Sequence, residues 1–211
     1  MLDIDGTLLD SHPAHTHAWQ RTLAAHGILK KIEEIQYEFS DTDPDVARTL
    51  FYTSDEELVA QISREKNNFF LEEIPRIPLF PYVSEILTRI HADQIPVCFV
   101  SANYNRILQR MMETYDWTRV SAGFVGIDGV TRSKPDPEML LLGLNKIRRK
   151  PHECVMIGDS PADILAGKSA GTHTIALCSS GHSSESFAPL KPDKILRVIG
   201  DLLPLLPLVL D

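Results

Sequence analysis

Asp3 and Asp5 stand two residues apart, with Gly6 and Thr7 directly behind them. On an extended strand, residues i and i+2 project to the same side. A strand ending here therefore aims both carboxylates at one point. One carboxylate can then serve as a nucleophile while its neighbour handles protons. Gly6 permits the sharp turn that must follow, and Thr7 offers a hydroxyl to an anion. The bland alternative is a solvated turn, because Asp and Gly are favoured turn residues. Three further places carry the same kind of signal. Ser101 closes the apolar run 95–100, and Lys134 stands in Ser133-Lys134-Pro135-Asp136-Pro137 at the entry to a helical pattern. Asp159 and Asp163 follow the apolar run 154–157 in Gly158-Asp159-Ser160-Pro161-Ala162-Asp163. Singly, each has an ordinary role. Asp159 can cap a helix starting near Pro161, and Ser101 one starting near Asn103. Lys134 can be an exposed loop lysine, and Asp163 a first-turn acid.

The elements that must position these groups follow from periodicity. Helical patterns run from His12 to His26 (stopped by Gly27), from Asp41 to Phe51, and from Asp55 to Ile74. Ser54 reads as the N-cap of the third, with Glu57 completing a capping box. Region 13–77 has little strand character, and Pro75, Pro78 and Pro81 punctuate the linker behind it. Beyond it, strands and helices alternate. Val83–Ala92 reads as helix, Pro96–Val100 as strand, Asn103–Thr114 as helix and Ala122–Val125 as strand. Glu138–Lys146 then reads as helix, Cys154–Ile157 as strand, Pro161–Ala170 as helix and Thr174–Leu177 as strand. Alternation of this kind argues for parallel βαβ units. Open parallel sheets bind ligands beyond the C-terminal ends of their strands, where Asp3, Asp5, Ser101 and Asp159 all fall.

Composition narrows the partners. The chain has 211 residues, 43% hydrophobic and 24% charged, close to globular averages. A formal net charge of -8 argues against nucleic acid or an anionic membrane surface as partner. Cys98, Cys154 and Cys178 are widely spaced and odd in number, without metal-ligand spacing. Free thiols in a reducing, cytoplasmic compartment are expected. The greasy stretch 201–210 is too short to span a bilayer and reads as the end of a helix on the core. A monomer or homodimer is expected.

The four motifs, in this order, resemble those of the haloacid dehalogenase-like superfamily. Within it, the chain is similar to the branch of phosphoglycolate phosphatases and beta-phosphoglucomutase-like proteins. The resemblance implies an α/β fold: a Rossmann-like parallel sheet with helices on both faces and an inserted all-helical cap domain. The core would comprise 1–12 and 78–211, the cap 13–77. It further implies Asp3 as nucleophile, Asp5 as acid/base, and Lys134 neutralising charge. Thr7, Ser101 and the backbone N–H groups near Ala102 would bind the phosphoryl oxygens with Lys134. Mg2+ would take Asp3, Asp159 and the Asp5 carbonyl, with Asp163 orienting the metal waters or Lys134.

Asp5 separates the branches, since dehalogenases and phosphonate-cleaving members lack an aspartate there. Phosphoryl transfer from oxygen is therefore implied, with a small phosphorylated metabolite as substrate and phosphoglycolate leading. A phosphosugar mutase is the alternative, because Ser11 and His15 fall where beta-phosphoglucomutases carry hinge residues. A folded but non-catalytic binding protein is the alternative of another class. Lys30 and Lys31 in the insertion read as solvated surface lysines. Arg48, Lys66 and Arg76 are cations there that could face a substrate. Two departures from the pattern stand out. Only Met1 and Leu2 precede Asp3, which leads us to expect a shortened first strand, from a misplaced start or truncation. Tyr82 stands where the family usually has glycine.

Overall fold

The computed structural model describes residues 1–35, 42–179 and 181–209. The chain divides into two compact units, Met1–Asp10 with Pro78–Asp211, and Ser11–Ile77.

Among its described residues the second unit has helices and no strand. It holds α1 (His12–Ala25), α2 (Asp43–Phe51) and α3 (Glu56–Glu73). Asp41, the expected start of α2, lies outside the described residues. Apolar side chains spaced three and four apart face inward on each helix. Trp19 and Leu23 from α1, Val46, Ala47 and Leu50 from α2, and Val59 and Ile62 from α3 form one core. The expected Ser54 cap is corrected to Asp55, whose Oδ1 accepts the Glu57 and Leu58 N–H groups at 3.0 and 3.3 Å. A carboxylate one residue nearer the helix takes the orphan donors first.

The first unit is an α/β sandwich. Its elements are α4 (Val83–Ala92), β1 (Phe99–Val100), α5 (Asn105–Thr114), β2 (Phe124–Val125) and α6 (Glu138–Ile147). They continue with β3 (Val155–Gly158), α7 (Pro161–Ala170), β4 (His173–Leu177), a short α8 (Ser184–Phe187) and β5 (Lys194–Leu196). Strand pairs β1/β2, β3/β4 and β4/β5 are parallel. Leu2 forms parallel bridges with both Phe99 and Ile157, so the start of the chain joins β1 to β3.

Pairing is shorter than the apolar runs suggest. Pro96–Val100 contributes only Phe99–Val100, because proline has no N–H for a ladder. Ala122–Val125 contributes only Phe124–Val125, since Gly123 sits at φ +134, outside the range of a strand. The stretch Ile199–Val209 is a 3-10 helix. Burial is two-sided. Val100 and Met156 pack with Met139, Leu140 and Leu144 of α6 and Ala166 of α7. The preceding residue of β1, Phe99, stacks on Trp117 instead. Each large side chain so buried stabilises the sheet by roughly 1.5–3 kcal/mol.

Candidate active site

Asp3 sits at the sheet's C-terminal edge because its own backbone is laced between two strands. Leu2 N–H donates to the Cys98 carbonyl (3.1 Å), Asp3 N–H to Ile157 (2.9 Å), and Val100 N–H returns to Leu2 (2.9 Å). The chain then turns tightly. Ile4 O accepts the N–H groups of Thr7, Leu8 and Leu9, and Gly6 adopts φ +73, where a side chain would be strained. One antiparallel bridge, Leu9 with Leu79, closes this turn, with Asp10 N–H bonded to Pro78 O and Phe80 N–H to Leu8 O.

Lys134 reaches the same point from the loop before α6. Its Nζ lies 2.6 Å from Asp3 Oδ1 and 2.6 Å from Asp163 Oδ1, and 3.3 Å from the Val100 carbonyl. The Lys134 side chain is only 6% exposed, so this is a buried ion-pair triad rather than a surface contact. Burial works against the ammonium, but Asp163 and Asp3 outweigh it and hold its pKa above the ordinary lysine range. Burial pushes the Asp3 carboxyl well above the usual carboxylate range; Lys134 opposes the shift, and Asp163, Asp159 and Asp5 add to it.

Asp159 and Asp163 arrive from the end of β3 and the first turn of α7. Asp159 Oδ1 accepts the Thr7 hydroxyl at 2.7 Å. Ser160, rather than Asp159, caps α7: its Oγ accepts the Asp163 N–H (3.3 Å), while Asp163 Oδ2 accepts the Ser160 hydroxyl (2.7 Å) and N–H (3.1 Å). Gly158 has a packing reason: a Cβ there would lie 2.3 Å from Asp163 Cγ. Ser101 does not cap α5, whose N-cap is Tyr104. Its hydroxyl lies 3.1 Å from Asp5 Oδ2. The helix begins at Asn105, not Asn103, because Asn103 is engaged at the site. Its N–H donates to Ser101 Oγ (3.1 Å) and its Nδ2 to Asp5 Oδ2 (2.6 Å).

The structure thus brings together Asp3, Asp5, Thr7, Ser101, Lys134, Asp159 and Asp163. Ala102 is exposed in the loop that follows Ser101. Sequence reasoning missed Asn103, and no spacing rule would have found it.

Metal suitability can be judged from the donors. Asp3, Asp159 and Asp163 each present a carboxylate oxygen within 4.8 Å of the others, and all three are buried. An all-oxygen set suits a hard divalent cation rather than a soft one. Lys134 pairs with two of these three carboxylates, so a cation would help to neutralise the group. The donors fit such an ion.

Ser11 and His15 belong to the helical unit. Ser11 is fully buried ahead of α1. His15 stacks on Phe70 with ring centroids 3.8 Å apart, and its Nδ1 lies 2.8 Å from Lys66 Nζ. Lys66 is fully buried and also pairs with Asp43 at 2.6 Å. Arg48 pairs with Asp45 and Glu56, and Arg76 lies 3.9 Å from Glu73.

Residues 1–171 match the family model for haloacid dehalogenase-like hydrolase. The chain belongs to that family. It is 28% identical over 208 residues to the phosphoglycolate phosphatase of Yersinia pestis, covering 96% of this chain and 90% of the relative. It is 27% identical over 177 residues to hexitol phosphatase A of Escherichia coli, covering 84% and 81%. Among solved structures, a hydrolase from Pseudomonas syringae superposes with a TM-score of 0.81 at 22% identity, over 98% of this chain and 95% of that one. CbbY from Rhodobacter sphaeroides, crystallised with phosphate, gives 0.83 at 20% identity, over 96% and 94%. The fold is therefore that of the family. Among the described residues, no helix is long and apolar enough to cross a membrane.

Proposed function

We propose that this hydrolase is a phosphatase acting on small phosphorylated metabolites, with phosphoglycolate the leading substrate, through an aspartyl-phosphate on Asp3. The observation that carries the reading is the Lys134 ammonium, 2.6 Å from both Asp3 and Asp163 at the strand end, with Asp5 two residues along. A carboxylate nucleophile meeting a phosphate dianion needs such a fixed cation beside it.

The chain's residues supply the rest. Asp3 attacks phosphorus, the ester P–O bond breaks, and Asp5 gives its proton to the leaving alkoxide. Asp5 then takes a proton from water, whose oxygen attacks phosphorus and restores the Asp3 carboxylate as inorganic phosphate departs. Lys134 stays in contact with Asp3, and Ser101 and Thr7 carry hydroxyls at the edge where phosphoryl oxygens would lie. Mg2+ held by Asp3, Asp159 and the Asp5 carbonyl would supply charge screening between nucleophile and substrate. The helical insertion would act as the cap that selects substrate. The names of the phosphatase relatives support the substrate class.

The test is phosphate release with Mg2+ from phosphoglycolate, sugar phosphates, nucleoside monophosphates and pyrophosphate, alongside Asp3→Asn. Preference for phosphoglycolate, abolished in Asp3→Asn, is the expected outcome. Turnover that survives Asp3→Asn would remove the proposed nucleophile.

A further inference from the structure

The Ser101 hydroxyl has one proton to give. In the structure it lies 3.1 Å from Asp5 Oδ2 and accepts the Asn103 N–H at 3.1 Å. Asn103 Nδ2 donates to the same Asp5 oxygen at 2.6 Å. If Ser101 is to bind a phosphoryl oxygen, its proton must leave Asp5. Asn103 is then the donor that remains.

Asn103 is itself held rigidly. It is buried, with 7% exposure, and its carbonyl accepts the Ile127 N–H at 2.9 Å. Gly126 presses against its backbone so closely that a Cβ there would lie 2.6 Å from the Asn103 oxygen. The next turn is pinned too, since Asn105 Oδ1 accepts the Gly126 N–H at 2.9 Å and the Asn105 N–H donates to Asp128 at 2.7 Å. A backbone this constrained presents the side-chain amide from a fixed point, and the amide can then fix the orientation of its acceptor.

We propose that Asn103 is a positioning residue for Asp5: it anchors Oδ2 while substrate takes the Ser101 hydroxyl, so that Oδ1 carries the proton in both half-reactions. The inference rests on the phosphatase reading above. In the first half-reaction the Asp3–phosphorus bond forms, the ester P–O bond breaks and the Asp5 proton passes to the departing alkoxide. In the second, Asp5 removes a proton from water, the new P–O bond forms, and the Asp3–phosphorus bond breaks. An aryl leaving group with a low pKa needs no proton in the first half-reaction but still needs Asp5 in the second.

The experiment compares wild type, Asn103→Ala and the nearly isosteric Asn103→Leu with Mg2+, by rapid mixing with p-nitrophenyl phosphate and by steady-state turnover of phosphoglycolate. Inhibition by inorganic phosphate checks the binding site. In both variants the p-nitrophenol burst should keep its rate to within about 3-fold while steady-state turnover falls about 10–100-fold, below the full worth of acid–base catalysis. Phosphoglycolate turnover should fall at least as far, with phosphate inhibition unchanged. A KM or phosphate inhibition constant that rises at constant kcat would overturn the proposal, assigning Asn103 to the phosphoryl group. Burst and turnover falling together, or activity retained in Asn103→Leu, would overturn it as well. Wild type that turns over neither ester, nor any sugar phosphate, nucleoside monophosphate or pyrophosphate, would overturn the phosphatase reading and this inference with it.

Discussion

Replacing Lys134 with methionine tests the electrostatics of the site directly. The ammonium is the shared partner of Asp3 and Asp163, at 2.6 Å from each, and Asp159 lies in the same buried group. Methionine fills similar volume but leaves these carboxylates facing one another. Removing one partner of a buried ion pair costs about 3–5 kcal/mol. For a chain of this length each kcal/mol lowers Tm by about 2–4 °C. Melts followed by circular dichroism in EDTA should therefore show a drop of about 6–20 °C. Mg2+ should recover more of that loss in Lys134→Met than it adds to wild type, because the added cation replaces the missing one. Asp163→Asn in the Lys134→Met background removes one of the repelling charges and should restore about 1–3 kcal/mol, a coupling typical of residues in direct contact. Phosphate release should fall to background in Lys134→Met. A melt within about 2 °C of wild type, or single-variant effects that simply add, would refute the argument that Lys134 neutralises this cluster.

Four further perturbations probe the frame. Gly167→Ala should destabilise by about 1–3 kcal/mol in urea titrations, because the new Cβ would meet Thr174 Cγ2 at 2.6 Å and Met156 Cβ at 3.1 Å. Gly143→Ala, whose Cβ would meet nothing nearer than 3.4 Å, should instead gain about 0.5–1 kcal/mol from helix propensity. Tyr82 is the N-cap of α4 with φ +71, so Tyr82→Gly should be more stable than Tyr82→Ala by about 1 kcal/mol or more, since both the left-handed backbone and the cap position favour glycine. Asp193 accepts the Thr174 N–H at 2.8 Å, which holds its carboxyl below the usual range. A depressed folded pKa adds stability above the unfolded value near 3.9 and loses it as pH falls. Asp193→Asn should thus cost at most about 1 kcal/mol at pH 7, the group being half exposed, and nothing once both forms are protonated, as acid-limb melts would show.

The carboxylate pair, Ser101 and Asp159 were legible because each lies just past an apolar run, and parallel topology sends such positions to one edge; Lys134 was legible only from its motif in the loop before α6. The helices were legible for a similar reason: a 3.6-residue period survives inspection even when the exact cap does not, as Asp55 in place of Ser54 shows. Short strands fared worse. Lys194–Leu196 pairs with β4 through only three residues, too few to show a period. Contacts between distant loops were not legible at all, and Asn103 is the clearest case, since its donor reaches an acceptor 98 residues away.

Two positions show why local rules stop short. A glycine is usually explained by its φ, and at residue 82 that explanation works in reverse: the backbone is left-handed, tyrosine occupies it, and the ring is accommodated by Gly200, where a Cβ would lie 2.6 Å from Tyr82 Cδ2. Gly158 has no unusual φ among the positive-φ glycines, yet it is constrained by a side chain five residues ahead. Any Cβ there would push Asp163 away from Lys134, and with it the ion pair that steadies Asp3. The requirement is tertiary and electrostatic at once, so the ion pairing of Asp3 depends on the absence of an atom at Gly158 as much as on the charge at Lys134.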